Sequence, residues 1–116
     1  MRENRKHVRL PLRLETQWDG SARNYPAVTS DISSGGCYVE SMDPVTVGDV
    51  LRLEFRLPSN RTLPVKAEVR YCHPFIGFGL RFVELSSGQH GILSSLIRQA
   101  KVGQGLLSMA PLQEAA

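Results

Sequence analysis

Val8-Arg9-Leu10-Pro11-Leu12-Arg13-Leu14-Glu15-Thr16-Gln17-Trp18-Asp19 alternates without a break. Val8, Leu10, Leu12, Leu14, Thr16 and Trp18 fall on one side; Arg9, Pro11, Arg13, Glu15, Gln17 and Asp19 fall on the other. A period of two is the signature of a pleated strand with one face on a core and one in water. Asp19-Gly20-Ser21 then turns the chain. The pattern recurs downstream. Arg23 to Ser33 reads as a second strand, with Val28 and Ile32 expected in the core and Ala27, Thr29, Asp31 and Ser33 expected to face outward. Cys37 to Ser41 is a short third. Leu51, Leu53, Phe55 and Leu57 alternate with charges in a fourth. Leu63, Val65, Ala67, Val69 and Tyr71 do so in a fifth, and Ile76, Phe78, Leu80 and Phe82 in a sixth. Trp18 and Tyr71 are both expected in the core.

Six short alternating runs predict a mainly β fold: an antiparallel barrel or sandwich, in which closure removes exposed sheet edges. Pro11 and Pro26 lack an N–H and suit edges or bulges. Gly77 and Gly79 fall on the outward face of the sixth strand. The period then changes. Leu93, Leu96, Ile97 and Ala100 share a helical face, with Ser86 or Ser87 as the cap and Gly103 as the expected stop. The predicted organisation is a basic arm over 1–7, a barrel plus helix over 8–102, and a tail over 103–116.

The chain has 116 residues, enough for one core and not two. Its net charge of +3 is unevenly spread: Arg2, Arg5, Lys6, Arg9 and Arg13 crowd the start against Glu3 alone. A clustered basic arm points to an anionic partner. Cys37 and Cys72 are too few for a disulfide scaffold and are expected as buried free thiols. No apolar run is long enough to span a membrane and no signal peptide is visible, so a cytoplasmic location is expected.

Asp31-Ile32-Ser33-Ser34-Gly35-Gly36 pairs a carboxylate with a hydroxyl two residues on, which in a strand share a face. The two glycines allow a tight turn and close approach of a ligand to the backbone. Arg5 and Arg9, four apart, also share a strand face. Two donors and two acceptors on the outer wall suit a small ligand that carries both phosphates and purine edges.

These residues carry a family resemblance. Arg5-Lys6-His7-Val8-Arg9 fits Arg-x-x-x-Arg; Asp31 to Gly36 fits Asp-x-Ser-x-x-Gly; Gly77-Phe78-Gly79-Leu80-Arg81-Phe82 looks like the glycine-rich last strand of the same family. Together, over residues 2 to 102, they resemble the PilZ domain, the bacterial receptor module for cyclic di-GMP. The resemblance implies a six-stranded antiparallel split barrel with a C-terminal helix. It implies that Arg5 and Arg9 bind phosphate and the guanine Hoogsteen edge from an arm that closes over the ligand. Asp31 would accept from guanine N1–H or N2–H with Ser33 beside it, and Gly36 would leave room for the base. Asn4, Lys6, Gly35, Gly79 and Arg81 are secondary candidates. Many members carry another arginine where Asn4 stands, so one ligand and an intercalated pair both remain open.

The chemistry agrees with these roles. Guanidinium forks bind phosphate and guanine O6/N7 bidentately, and a carboxylate matches guanine donors while repelling phosphate. No cofactor is implied, and no metal: His7, His73 and His90 have no ligand spacing with the cysteines. Ser33 lacks a neighbouring base, and no phosphate loop or dinucleotide fingerprint is present, so an enzyme is not expected. The expected function is a receptor that passes binding to an unidentified downstream protein. The alternative is a nucleotide-independent adaptor of the same fold, of the kind found around type IV pili. A nucleic-acid polymer as partner wants aromatics on the basic face, and few are offered.

Overall fold

The computed structural model describes residues 9–19 and 24–108, with 103–108 described by backbone alone. Seven strands precede one helix: β1 (Leu10–Pro11), β2 (Glu15–Asp19), β3 (Asn24–Ile32), β4 (Gly36–Glu40), β5 (Val50–Arg56), β6 (Thr62–His73), β7 (Gly77–Val83) and α1 (Ser87–Ser108). All pairings are antiparallel. The order β3-β2-β5-β6-β7-β4 closes on itself through β3–β4. The result is a closed six-stranded barrel in which β1 and β2 are two halves of one interrupted first strand, both paired with β3.

The interruption is a bulge sealed by a side chain. Residues 12–14 of the first strand face two residues, Thr29 and Ser30, because Pro11 pairs with Asp31 and Glu15 with Val28. The buried Thr29 hydroxyl accepts from the Leu14 amide at 2.8 Å and donates to the Leu12 carbonyl. Backbone groups that the bulge would leave unpaired are thereby satisfied.

Two further bulges reverse side-chain parity. The β3–β4 register slips between Thr29 and Asp31, and the β6–β7 register between Val69 and Tyr71. Each extra residue, Ser30 or Arg70, flips everything beyond it to the other face. Ala27, Thr29 and Ile32 are therefore buried, whereas Val28 is outside the core, contrary to strict alternation. Tyr71 likewise leaves the core and stands 36% exposed, while Trp18 is buried as expected.

The core contains Phe55, Phe78, Ile32, Leu53, Leu80 and Val39, all fully enclosed. Burying one such side chain stabilises the fold by about 1.5–3 kcal/mol. Leu93 and Leu96 of α1 belong to the same apolar cluster, so the helix covers part of the barrel. Its start is a capping box: the Ser86 hydroxyl accepts from the Gln89 amide at 3.1 Å, and Gln89 Oε1 accepts from the Ser86 amide at 2.7 Å. The helix runs on through Gly103, the expected stop, to Ser108. Cys37 is buried and Cys72 only half-buried; both are free. No helix among the described residues is long and apolar enough to cross a membrane.

Candidate functional site

The parity reversals bring chemistry to one patch of the outer wall. Reading across the ladders, Pro11 pairs with Asp31, Asp31 with Tyr38, Tyr38 with Gly79 and Gly79 with Tyr71. This row crosses five strands on the outer face. Alongside it runs a second row, Glu40, Gly77 and His73.

Arg9 stands just before β1, where the chain reaches this row. Its Nη1 donates to Asp31 Oδ1 at 3.1 Å and to the Tyr71 hydroxyl at 3.4 Å. The expected donor and acceptor thus meet on one wall, each partly exposed. Arg5, with Asn4 and Lys6, lies outside the described residues.

Ser33 and Asp31 do not present their side chains side by side. Ser33 follows the end of β3 and is 3% exposed. Its hydroxyl accepts from the amides of Gly35 at 3.1 Å and Gly36 at 3.2 Å, holding the turn closed. Gly36 opens β4 where two backbones meet: a Cβ there would collide with the Leu80 carbonyl oxygen. Arg81 lies on the outer face of β7, its guanidinium 3.1 Å from Glu68.

An aromatic cluster completes the patch. Tyr38 and Tyr71 have ring centroids 6.0 Å apart, and His73 lies 5.8 Å from the first and 5.6 Å from the second. The Tyr38 hydroxyl and His73 Nδ1 are hydrogen-bonded at 2.8 Å. Tyr71 packs its ring over Gly79, whose missing side chain makes the space. The Tyr38 phenol is pushed up from its ordinary pKa, first by burial and then by the neighbouring Tyr71 hydroxyl. It is therefore a neutral hydrogen-bonding group over a wide pH range.

The sequence did not single out Tyr38, Tyr71 and His73 as site residues. Tyr38 carries the clearest signal, because it sits between the inward Cys37 and Val39. Tyr71 and His73 fall beyond the bulge at Arg70, and a strict period of two misplaces Tyr71.

Chemically, the patch offers a guanidinium and a carboxylate already within bonding distance, next to phenol faces. That combination suits a flat heterocycle bearing an anionic group. Among the described residues no group of His, Cys, Asp and Glu fits a metal ion.

The PilZ domain profile matches residues 3–99. No curated protein matches the sequence significantly. Among solved structures, the chain is similar to the Bacillus subtilis inhibitor of motility MotI/DgrA, at 27% identity and a TM-score of 0.68, over 84% of this chain and 51% of that one. It is similar to Escherichia coli YcgR in complex with c-di-GMP, at 13% identity and a TM-score of 0.81, over 91% and 50%. It also resembles the isolated PilZ domain of that YcgR with c-di-GMP, at 15% identity and a TM-score of 0.73, over 89% and 98%. The chain spans about half the length of the first two. The likeness to YcgR is one of fold.

Proposed function

This chain belongs to the PilZ domain family, and from that premise we propose that it is a non-enzymatic receptor for cyclic di-GMP. The observation that carries the reading is the Arg9–Asp31 pair at 3.1 Å beside the exposed Tyr71 ring and the half-buried Tyr38 ring on one wall. Solved neighbours in complex with c-di-GMP support the choice of ligand.

In this reading Arg9 exchanges Asp31 for ligand phosphate or guanine O6/N7, with Arg5 of the same arm as the second guanidinium. Asp31, released, accepts from guanine N1–H and N2–H. Ser33 and Gly36 act through the turn: the hydroxyl fixes Gly35 and Gly36, and the turn fixes Asp31. Tyr71 gives a guanine face something to stack on. The arm then closes over the ligand and changes the surface that a downstream protein meets.

Calorimetric titration with cyclic di-GMP tests this. Saturable heat is expected, and cyclic di-AMP, which lacks guanine's N1–H and N2–H donors, is expected to give none at the same concentrations. Folded protein that gives no heat with cyclic di-GMP at tens of micromolar of each partner refutes it.

A further inference from the structure

The β6–β7 turn carries a second feature outside the nucleotide patch. Phe75 is 79% exposed and Ile76 64%, and Met42 on the β4–β5 loop is 73% exposed. They are neighbours: the Ser41 amide bonds the Ile76 carbonyl at 3.1 Å, and Met42 and Phe75 line one small hollow. Three large apolar side chains together in water form the kind of patch that marks a contact surface. Phe75 also holds a φ of +65°, a conformation in which glycine, not phenylalanine, is at ease.

Met42 and Ile76 also border a groove of about 760 Å3 whose charges fix the sign of what fits. Its walls carry Glu15, Glu40, Asp43 and Glu54 against Arg56 alone. Arg13, bonded to Glu40 from outside the groove at 3.0 Å, still leaves an excess of carboxylate. The chain as a whole is positive, at +3, so this wall inverts the sign of the molecule. An apolar anchor at one end of a negative trough complements a segment with apolar and cationic residues together.

We propose that the Phe75–Met42–Ile76 patch and the groove beside it dock a cationic, amphipathic segment of a partner protein. Its apolar residue packs on Phe75 and Met42, and its lysines or arginines lie along Glu54 and Asp43. The inference does not depend on nucleotide binding.

The test uses the full chain and a fluorescein-labelled peptide of alternating leucine and lysine, with a leucine–glutamate peptide as counterpart, read by anisotropy. The lysine peptide is expected to bind and the glutamate peptide not. Phe75→Gly is expected to weaken binding roughly tenfold or more, as loss of a central anchor does, with a melting temperature unchanged or raised because glycine suits the backbone there. Asp43→Lys with Glu54→Lys is expected to weaken it further and to flatten its salt dependence. Equal binding of the two peptides, or undiminished binding by Phe75→Gly, overturns the proposal. So does a wild-type dimer in sedimentation that Phe75→Gly dissociates, since the occupant is then a second copy.

Discussion

The ring of Tyr71 lies over Gly79, the residue it faces across the β6–β7 ladder, and any Cβ at Gly79 would run into it. Gly36 has no such soft neighbour, since its Cβ would meet the Leu80 backbone carbonyl. A half-exposed ring can swing away and a paired strand cannot. Gly36→Ala is therefore expected to destabilise the fold by about 1–3 kcal/mol, in the range of overpacking. Gly79→Ala is expected to keep most of the stability and lose nucleotide affinity. Urea denaturation and calorimetry on the two variants separate these effects.

Tyr71 itself gives a graded series. Tyr71→Phe keeps the π face and loses only the hydroxyl that Arg9 reaches at 3.4 Å. Tyr71→Ala removes the stacking surface, worth about 1–3 kcal/mol per base. Cyclic di-GMP titrations are expected to rank wild type and Phe close together and Ala well below. Equal affinity for all three would remove the ring from the site.

Arg9→Ala is expected to lower cyclic di-GMP affinity by about 2–5 kcal/mol, the cost of losing one partner of a charged contact. Arg9→Lys recovers little, because an ammonium has no planar fork. Stability behaves differently. The Arg9–Asp31 pair is partly solvated, and such pairs contribute about 0–1 kcal/mol. Melting temperatures of the variants are expected to stay near wild type while the titration curves collapse.

Burial pushes the Cys37 thiol up, with Arg9 opposing and Asp31 adding. The unfolded chain releases that proton first, near the ordinary thiol value of about 8.5. Stability is therefore full below that pH and falls above it, by about 1.4 kcal/mol per pH unit for one such group. Tyr38 adds a second fall above about 10, tyrosine's ordinary value, by the same logic. Urea midpoints measured between pH 7 and 10.5 are expected to show the decline, and Cys37→Val to flatten its first part. A thiol reagent at pH 8 is expected to modify Cys72 in the native protein and Cys37 only after unfolding.

Thr29→Val keeps the shape and leaves the Leu14 amide and Leu12 carbonyl without their hydroxyl partner. An unsatisfied buried polar group costs about 1–3 kcal/mol. The expected result is a lower urea midpoint with faster hydrogen exchange at Leu14. No change in either would mean that the bulge is closed by other means.

Strand count, helix position and the outward placement of Asp31, Gly77 and Gly79 were all legible in the sequence, because polar and apolar residues alternate wherever the ladders are regular. What alternation cannot register is an added residue. Ser30 and Arg70 carry no glycine or proline to announce a bulge, yet each reverses side-chain parity along its strand, which misplaced Val28 and Tyr71. The helix overran Gly103 because Gly103 and Gly105 each cost only about 1 kcal/mol against alanine. At the site, the placement of Asp31 and Arg9 on one outer wall was readable from motif and spacing; their direct pairing at 3.1 Å was not. Ser33 kept its motif position while its hydroxyl turned to the loop amides, a choice that only the backbone geometry reveals.

Because the Thr29 hydroxyl closes the barrel behind residues 12–14, the two-residue β1 is a detachable end. Leu10 opposite Ile32 and Pro11 opposite Asp31 zip it to β3, and the Arg9–Asp31 pair pins its leading edge. Opening so short a stretch unburies one large apolar side chain, Leu10, so β1 can part from β3 locally while the rest of the ladder stays intact. The Thr29 clasp works as a firebreak: fraying that starts at Arg9 stops at Leu14.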